Sequence, residues 1–285
     1  MASMRDIKRR IKSVNSTRQI TKAMNLVASS KLAKAKKRME GTKPFAEETK
    51  KVIAEIAEAA GGLKHPMFSH ECKGNKALVI VITGDKGLCG GYNSAVCKEA
   101  LELCEGKETK LITVGSKGRD FFKRREFEFD TVLTGISERF EYSDASNIGQ
   151  RALHLFKEGE VDGVYLVYTR FISTLSSQPK AIRLLPADPS EFENSKGGGS
   201  ALTLYEPSEE EVLDYVVPHY INTVIYGALV ESSVCELGAR MTAMDAATDN
   251  AEEMLESLSL MYNRVRQSAI TNEITEIVSG SNALN

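Results

Sequence analysis

Apolar residues recur at a heptad spacing at both ends of the chain. Alternate steps of four and three residues from Ile7 to Met39 give ten seam positions, of which seven are apolar. The three polar positions lie together in the middle of this seam: Arg18, Thr21 and Asn25. The same steps from Leu237 to Ala269 give nine apolar positions of ten. The pattern predicts two long helices that pair through these seams.

The two ends are opposite in charge and free of helix breakers. Residues 1–43 hold thirteen Lys or Arg and two acids, a formal charge of +11, whereas residues 206–285 hold three Arg and fourteen acids, a charge of −11. Neither Gly nor Pro occurs in residues 1–40 or 239–279, and periodic runs of this length are typical of coiled coils. Because the first helix leads into the middle of the chain and the last leads out of it, we expect an antiparallel pair.

The last helix is expected to be longer than the first. At ~1.5 Å per residue the first helix spans ~60 Å and the last ~100 Å, so the far end of the last helix has no partner within the chain. This end carries an apolar stripe that a monomer rarely leaves in water: Ile270, Ile274, Ile277, Val278 and Leu284. A partner is therefore expected to enclose it. The alternative, a tip folded back on the centre of the chain, is disfavoured by the absence of Gly between Ala239 and Ser279.

Between the two ends the pattern changes to alternating strands and helices. Apolar runs predict strands at residues 76–83, 111–114, 127–133 and 163–168, and edge strands at 180–185 and 201–205. Helices are predicted at residues 93–104, 116–125 and 144–157. This alternation is typical of a mostly parallel sheet with helices on both faces. We therefore expect an α/β protein with an antiparallel coiled coil of residues 1–60 and 206–285 and a central Rossmann-like α/β domain of residues 75–205.

Composition narrows the possible functions. The 285 residues have a net charge of −2 and a pI near 6.2, which argues against a general nucleic-acid binder. A nucleic-acid-binding protein that uses the basic first helix is nevertheless the main alternative, and the acidic last helix argues against it.

Five Cys residues without a CxxC pair indicate reduced thiols in a cytosolic compartment. No apolar run is long enough to span a membrane, and the first residues lack a signal peptide.

Signals for catalysis, metal or cofactor binding are weak. The loop Gly84–Gly91 follows a strand and precedes a helix, as a phosphate loop would, but it fits neither common nucleotide motif. His65, His70 and Cys72 cluster without an ordinary zinc spacing. The middle of the chain has no acid, base or nucleophile constellation, which disfavours an α/β enzyme with a coiled-coil arm. We expect no catalytic residue, no metal and no cofactor.

Four short segments carry a family resemblance. They are Ile20–Met24 (ITKAM), Asp85–Gly90 (DKGLCG), Ala239–Ala251 (ARMTAMDAATDNA) and Arg266–Gly280 (RQSAITNEITEIVSG). Together they strongly resemble the gamma subunits of bacterial F-type ATP synthases. The resemblance covers the whole chain and implies a rotor shaft, itself non-catalytic. In that family the coiled coil penetrates the alpha3beta3 hexamer, and the α/β domain sits on the membrane c-ring beside epsilon.

The resemblance also implies roles for single residues. Rotation couples ion flow through the c-ring to ATP synthesis or hydrolysis at the beta subunits, and the shaft contacts its partners at several places. Beta-subunit contacts and torque transmission fall to Arg266, Gln267, Thr271, Glu273, Asp85 and Lys86, and the coupling region holds Met24 and Arg240. The c-ring contact falls to Tyr205 and Glu206, and the apolar bearing is formed by Ile270, Ile274, Ile277 and Val278.

The chain departs from the family pattern in the loop after the first strand. It reads Gly84-Asp-Lys86 where Ser-Asp-Arg is usual, and Lys lacks the planar fork that lets Arg pair bidentately. The cysteine pair inserted in chloroplast members is absent. A start without a transit peptide fits a peripheral protein on the cytoplasmic face of a bacterial plasma membrane. Binding of nucleic acid is not expected.

Overall fold

The computed structural model describes residues 3–59, 66–68, 74–174, 176–187, 206 and 208–283. These residues fall into two compact units. The coiled-coil unit comprises Met1–Ser29 and Arg240–Asn285, and the body unit comprises Ser30–Ala239. The two longest helices, α1 (Met4–Ala59) and α5 (Glu209–Ala283), each contribute to both units. The domain limits predicted above stay a prediction.

The body unit is built on a five-stranded sheet. Its strands are β1 (Lys76–Ile82), β2 (Glu108–Val114), β3 (Glu128–Leu133), β4 (Gly163–Phe171) and β5 (Ser177–Leu185). Their order is β3-β2-β1-β4-β5, and only β5 is antiparallel to its neighbour. The helices between them are α2 (Tyr92–Cys104), α3 (Ser116–Lys123) and α4 (Tyr142–Lys157). The predicted α/β fold with a mostly parallel sheet is confirmed, whereas the strand predicted at residues 201–205 lies outside the described residues.

Strand β1 is buried on both faces. Successive side chains of a strand point to opposite sides of the sheet, and in β1 both sets are buried. Ala77, Val79 and Val81 pack with residues of α2 and α3 in one apolar cluster. The alternate residues, from Leu78 to Ile82, are also buried. Continuous apolar strands of this kind are expected for a parallel sheet covered on both sides.

Helix α1 contains a proline in its interior. The helix runs through Pro44 to Ala59. A proline inside a helix removes one backbone hydrogen bond, so packing must offset that loss. Ile53 and Ile56 are fully buried in this last part of the helix.

Arg38 fixes α1 against the rest of the body unit. Its guanidinium lies 4.4 Å from the ring centroid of Phe140 and 5.3 Å from that of Tyr226. The same group donates to the Phe140 carbonyl oxygen at 2.8 Å and to the Tyr226 hydroxyl at 2.9 Å. One side chain of α1 therefore contacts both α5 and the segment before α4.

The coiled-coil unit confirms the predicted seams. From Ile7 to Ala28 on α1 and from Met241 to Val265 on α5, every seam position is buried or half-buried. Contacts join Asn25 to Met241 and Arg18 to Glu252, so residue numbers rise along one helix as they fall along the other. The pair is antiparallel, as expected.

Candidate partner-binding surfaces

The loop that follows β1 is fixed by short contacts at the ends of β1 and β2. The buried Thr83 hydroxyl donates to the Val114 carbonyl oxygen at 2.9 Å and accepts from the Gly118 backbone N–H at 2.9 Å. Gly115 adopts a φ of 94°, and a Cβ there would lie 2.2 Å from the Thr83 carbonyl oxygen. Only glycine fits this close approach, so the loop leaves the sheet along a defined path.

Asp85 stabilises its own loop from within. Its carboxylate accepts from the backbone N–H of Ser116 at 2.9 Å and from that of Ser137 at 3.1 Å. Its own carbonyl oxygen accepts from the Ser116 hydroxyl at 2.8 Å. Partial burial alone would raise the pKa of Asp85, but hydrogen bonds from Gly135, Ser137 and Ser116 hold that pKa below its ordinary value. Asp85 therefore joins three segments of the body unit.

Lys86 and Lys31 share a single carboxylate. The Lys86 Nζ lies 3.0 Å from Glu138 Oε1, and the Lys31 Nζ lies 2.5 Å from Glu138 Oε2. The hydrogen bond from Lys31 is the largest cause that lowers the pKa of Glu138, to about 2, with a smaller contribution from Lys86. Glu138 is therefore ionised at any physiological pH, and it joins α1, this loop and the turn before α4.

The remainder of the loop packs beneath Asn93 and presents one leucine to solvent. The Asn93 side chain accepts from the Gly84 N–H at 2.8 Å and contacts the Cys89 sulfur at 3.1 Å, so it joins both ends of the loop. Cys89 packs with Tyr92 and Cys235 of α5. Leu88 has a φ of 61° and is 64% exposed. The loop is thus rigid and shows an apolar residue beside Lys86.

A polar layer crosses the middle of the coiled-coil unit. The Thr21 and Thr248 hydroxyls lie 2.7 Å apart, and the Asn25 amide donates to the Met241 carbonyl oxygen at 3.0 Å. These groups correspond to the polar centre predicted from the heptad pattern. Of the two residues predicted for the coupling region, Met24 is half-buried and Arg240 is buried.

Beyond this pairing, α5 continues with every side chain exposed from Arg266 to Ser279. The exposed fractions of its apolar residues are 48% for Ile270, 56% for Ile274, 66% for Ile277 and 52% for Val278. The polar residues predicted to contact a partner, Arg266, Gln267, Thr271 and Glu273, lie on the same exposed stretch. The Thr271 hydroxyl donates to the Gln267 carbonyl oxygen of its own helix at 2.9 Å.

The sites predicted elsewhere are less defined. Glu206 is exposed, whereas Tyr205, His65, His70 and Cys72 lie outside the described residues. Among the residues that the structure describes, no group of three or more His, Cys, Asp or Glu could hold a metal ion. Within the same residues, no helix is both long and apolar enough to cross a membrane.

Sequence reasoning did not identify Glu138 and Asn93. Glu138 follows its lysine partners by 107 and 52 residues, and no local spacing joins residues so far apart. The sequence pattern places Asn93 only at the start of the predicted helix of residues 93–104. Its position seven residues after Lys86 and four after Cys89 was the available signal, because Asn commonly bonds to backbone groups near helix starts.

These observations define the class of protein. The chain combines an α/β body, an antiparallel coiled coil with a polar layer and an exposed apolar helix end. Because such apolar surface is normally covered by a partner, these features indicate a subunit of a larger assembly. A family model described as "ATP synthase" matches residues 3–284. The chain belongs to this family, among its gamma chains.

Curated relatives match over their full length. The ATP synthase gamma chain of Alkaliphilus metalliredigens is 48% identical over 99% of this chain and 98% of its own. A gamma chain from Acetobacterium woodii, described as sodium ion specific, is 45% identical over 99% of both chains. That of Halothermothrix orenii is 45% identical over the whole of both chains. The family expected from the sequence motifs is confirmed.

Solved structures show the same fold. A chain of the central stalk and c-ring structure of Tetrahymena thermophila mitochondrial ATP synthase matches with a TM-score of 0.62 and 28% identity, over 80% of this chain and 99% of that one. A chain from the Euglena gracilis mitochondrial enzyme matches with a TM-score of 0.70 over 99% of this chain and 94% of that one. At 18% identity the latter likeness concerns the fold alone. Nothing in these comparisons supports the nucleic-acid-binding alternative.

Proposed function

We propose that this chain is the rotating shaft of an ATP synthase and carries no catalytic site of its own. Its rotation couples ion flow through the membrane c-ring to ATP synthesis or hydrolysis at the beta subunits. Its partners are the alpha and beta subunits, epsilon and the c-ring, and its place is peripheral, at the cytoplasmic face of a bacterial plasma membrane. The observation that carries this proposal is the coiled coil that continues into an exposed apolar helix end.

A single shaft inside a ring of three alpha and three beta subunits contacts each beta subunit differently. The contacts therefore assign a different conformational free energy to each of three chemically identical sites. When the shaft turns, those free energies are exchanged among the sites, and each site passes through every state. This mechanism needs a rigid asymmetric shaft, and it needs no catalytic group on the shaft.

The exposed end of α5 combines two kinds of contact. Ile270, Ile274, Ile277 and Val278 are suited to a bearing, because apolar contact is non-directional and resists turning less than fixed hydrogen bonds do. Arg266 and Gln267, with Thr271 and Glu273 nearby, are suited to gripping a beta-subunit loop through directional polar contacts.

Reconstitution tests the proposal directly. Purified alpha and beta subunits are mixed with and without the full chain, and assembly and ATPase activity are measured. We expect the chain to be required for an assembled complex with ATPase activity. If alpha and beta form an equally active assembly without it, the shaft assignment is wrong.

The division between bearing and grip is tested in the complete membrane-bound synthase. We expect Gln267→Leu to reduce coupled ATP synthesis severalfold, whereas a chain that lacks residues 279–285 should retain most of the activity. Equal losses from the two changes would contradict the division. Arg266→Ala is the companion variant, since it removes the neighbouring charge without altering the apolar stripe.

The family resemblance assigns the contact with the c-ring to Tyr205 and Glu206.

The coupling ion is a property of the membrane ring rather than of this chain. A relative described as sodium ion specific is 45% identical, the same identity as a relative described without that term. The Na⁺ dependence of ATPase activity in the intact complex therefore determines the ion.

A further inference from the structure

One carboxylate in the body unit neutralises two lysines from different elements. Glu138 lies between Lys31 of α1 and Lys86 of the loop after β1, at 2.5 and 3.0 Å. The side chain of Glu138 is 26% exposed, whereas those of Lys31 and Lys86 are 46% and 69% exposed. The acidic group is thus covered more than either base, and both bases face solvent.

The surroundings of Glu138 are strongly basic. A cleft of about 370 Å³ is lined by four cationic residues and by Glu138, its single acidic residue among those described: Lys31, Lys34, Arg38 and Arg139. Its floor includes apolar side chains, among them Val230 and Leu237 of α5. A cleft dominated by one sign of charge attracts ligands of the other sign. Its chemistry therefore fits an acidic segment with some apolar side chains.

The two ion pairs of Glu138 are exchangeable. Exposed ion pairs contribute only about 0.2–1 kcal/mol, because water solvates both partners well. Another carboxylate could therefore replace Glu138 as the partner of Lys86 with little change in free energy. Leu88, exposed two residues further along the same loop, adds an apolar contact for whatever reaches Lys86.

We propose that Glu138 holds Lys86 in place until a carboxylate of the beta subunit takes its position, so that Glu138 sets the strength of this contact by competition. The inference rests on the proposed function and on the assignment of Lys86 to a beta-subunit contact. Glu138 is a positioning residue for the loop in the free chain. In the assembled complex it is a competitor, and its removal leaves Lys86 more available to the partner.

Carbodiimide cross-linking of the assembled complex with alpha and beta subunits tests this competition. The reagent joins a lysine to a contacting carboxylate, and mass spectrometry measures how much Lys86 is joined to beta. We expect Glu138→Gln to raise the yield of the Lys86–beta cross-link about 1.4- to fivefold, the range that corresponds to one exposed ion pair. An unchanged or reduced yield would overturn the proposal, because a purely structural Glu138 would leave Lys86 disordered.

A matched control is available at the other end of the sheet. Glu160 pairs with Lys110 at 2.8 Å, and their side chains are 44% and 32% exposed. Glu160→Gln should leave the Lys86–beta cross-link unchanged, and a rise equal to that of Glu138→Gln would refute competition at Lys86.

A second variant keeps the test decisive if Glu138→Gln assembles poorly. Lys31→Gln removes the nearer of the two lysines that pair with Glu138 and leaves the pair with Lys86, so the yield of the Lys86–beta cross-link should fall, and a rise would contradict the proposal. Absence of any complex with the unaltered chain would instead contradict the proposed function, so the two failures are distinguishable.

Discussion

Replacement of Asp85 separates a structural role from a partner contact. The family resemblance assigns Asp85 to the beta subunit, yet its carboxylate accepts backbone N–H groups of Ser116 and Ser137 at 2.9 and 3.1 Å. Hydrogen bonds to a charged group contribute about 1.5–3 kcal/mol each. Because Asp85 is half-exposed, values at the low end apply, and Asp85→Ala should lower the free energy of unfolding by about 2–4 kcal/mol.

Urea unfolding of the full chain, followed by far-ultraviolet circular dichroism, measures this loss. The chain has no Trp, so circular dichroism is the practical signal. Amide hydrogen exchange gives a local measurement, since the Ser116 and Ser137 amides should exchange faster in Asp85→Ala. Asp120→Asn is the control, because among the described residues the Asp120 carboxylate is bonded to exposed side-chain groups of the adjacent Arg119, and no measurable change is expected.

The pH dependence has a defined sign. The pKa of Asp85 is lower in the folded chain than its ordinary value, so its contribution is complete above that ordinary value, near 4, and is lost as pH falls through the folded pKa. The stability difference between the unaltered chain and Asp85→Asn should therefore shrink on acidification below about pH 4. Unchanged stability and amide exchange in Asp85→Ala, together with loss of coupled activity, would refute the internal role and favour the partner contact.

Three further changes test the fold by urea unfolding. Gly115→Ala should destabilise the chain by about 2–4 kcal/mol, because of its left-handed φ and the carbonyl oxygen beside any Cβ, and Gly135→Ala, with open space around it, should cost less. Thr21→Val alone should cost about 1 kcal/mol, and the double change Thr21→Val with Thr248→Val should cost less than the sum of the two single changes, since the two hydroxyls share one hydrogen bond; full additivity would contradict that bond. Arg151→Gln should cost about 1–2 kcal/mol by removing the charged hydrogen bonds that its carboxylate partner on β3 accepts, and a cost that does not fall on strong acidification would contradict that pairing.

The sequence predicted the elements whose patterns are local. The run at residues 76–83 became β1 (Lys76–Ile82), because a continuous apolar stretch bounded by turn residues suits a buried strand. The heptad seams were also predictable, since helical periodicity places Ile7 and Ala28 on one face. The polar centre of that seam was visible in the sequence as well.

Features that depend on distant contacts were not predictable. The packing that keeps α1 helical beyond Pro44 is one of them: buried residues such as Ile53 hold its last turns, and helix stability in proteins comes mainly from such packing. The shared carboxylate of Glu138 also depends on tertiary structure. Its partners Lys31 and Lys86 are far away in the chain, and no periodic pattern relates them.

The polar layer of the coiled-coil unit has a consequence for force transmission. Sliding one helix past the other by a heptad, ~10 Å, would place Thr21 against Leu255 and would part Asn25 from its carbonyl acceptor on Met241. Loss of these hydrogen bonds between the helices makes that displacement unfavourable, whereas an all-apolar seam has no such bonds to lose. The two helices therefore resist sliding along each other when a torque is applied, and their register is kept as the torque is transmitted.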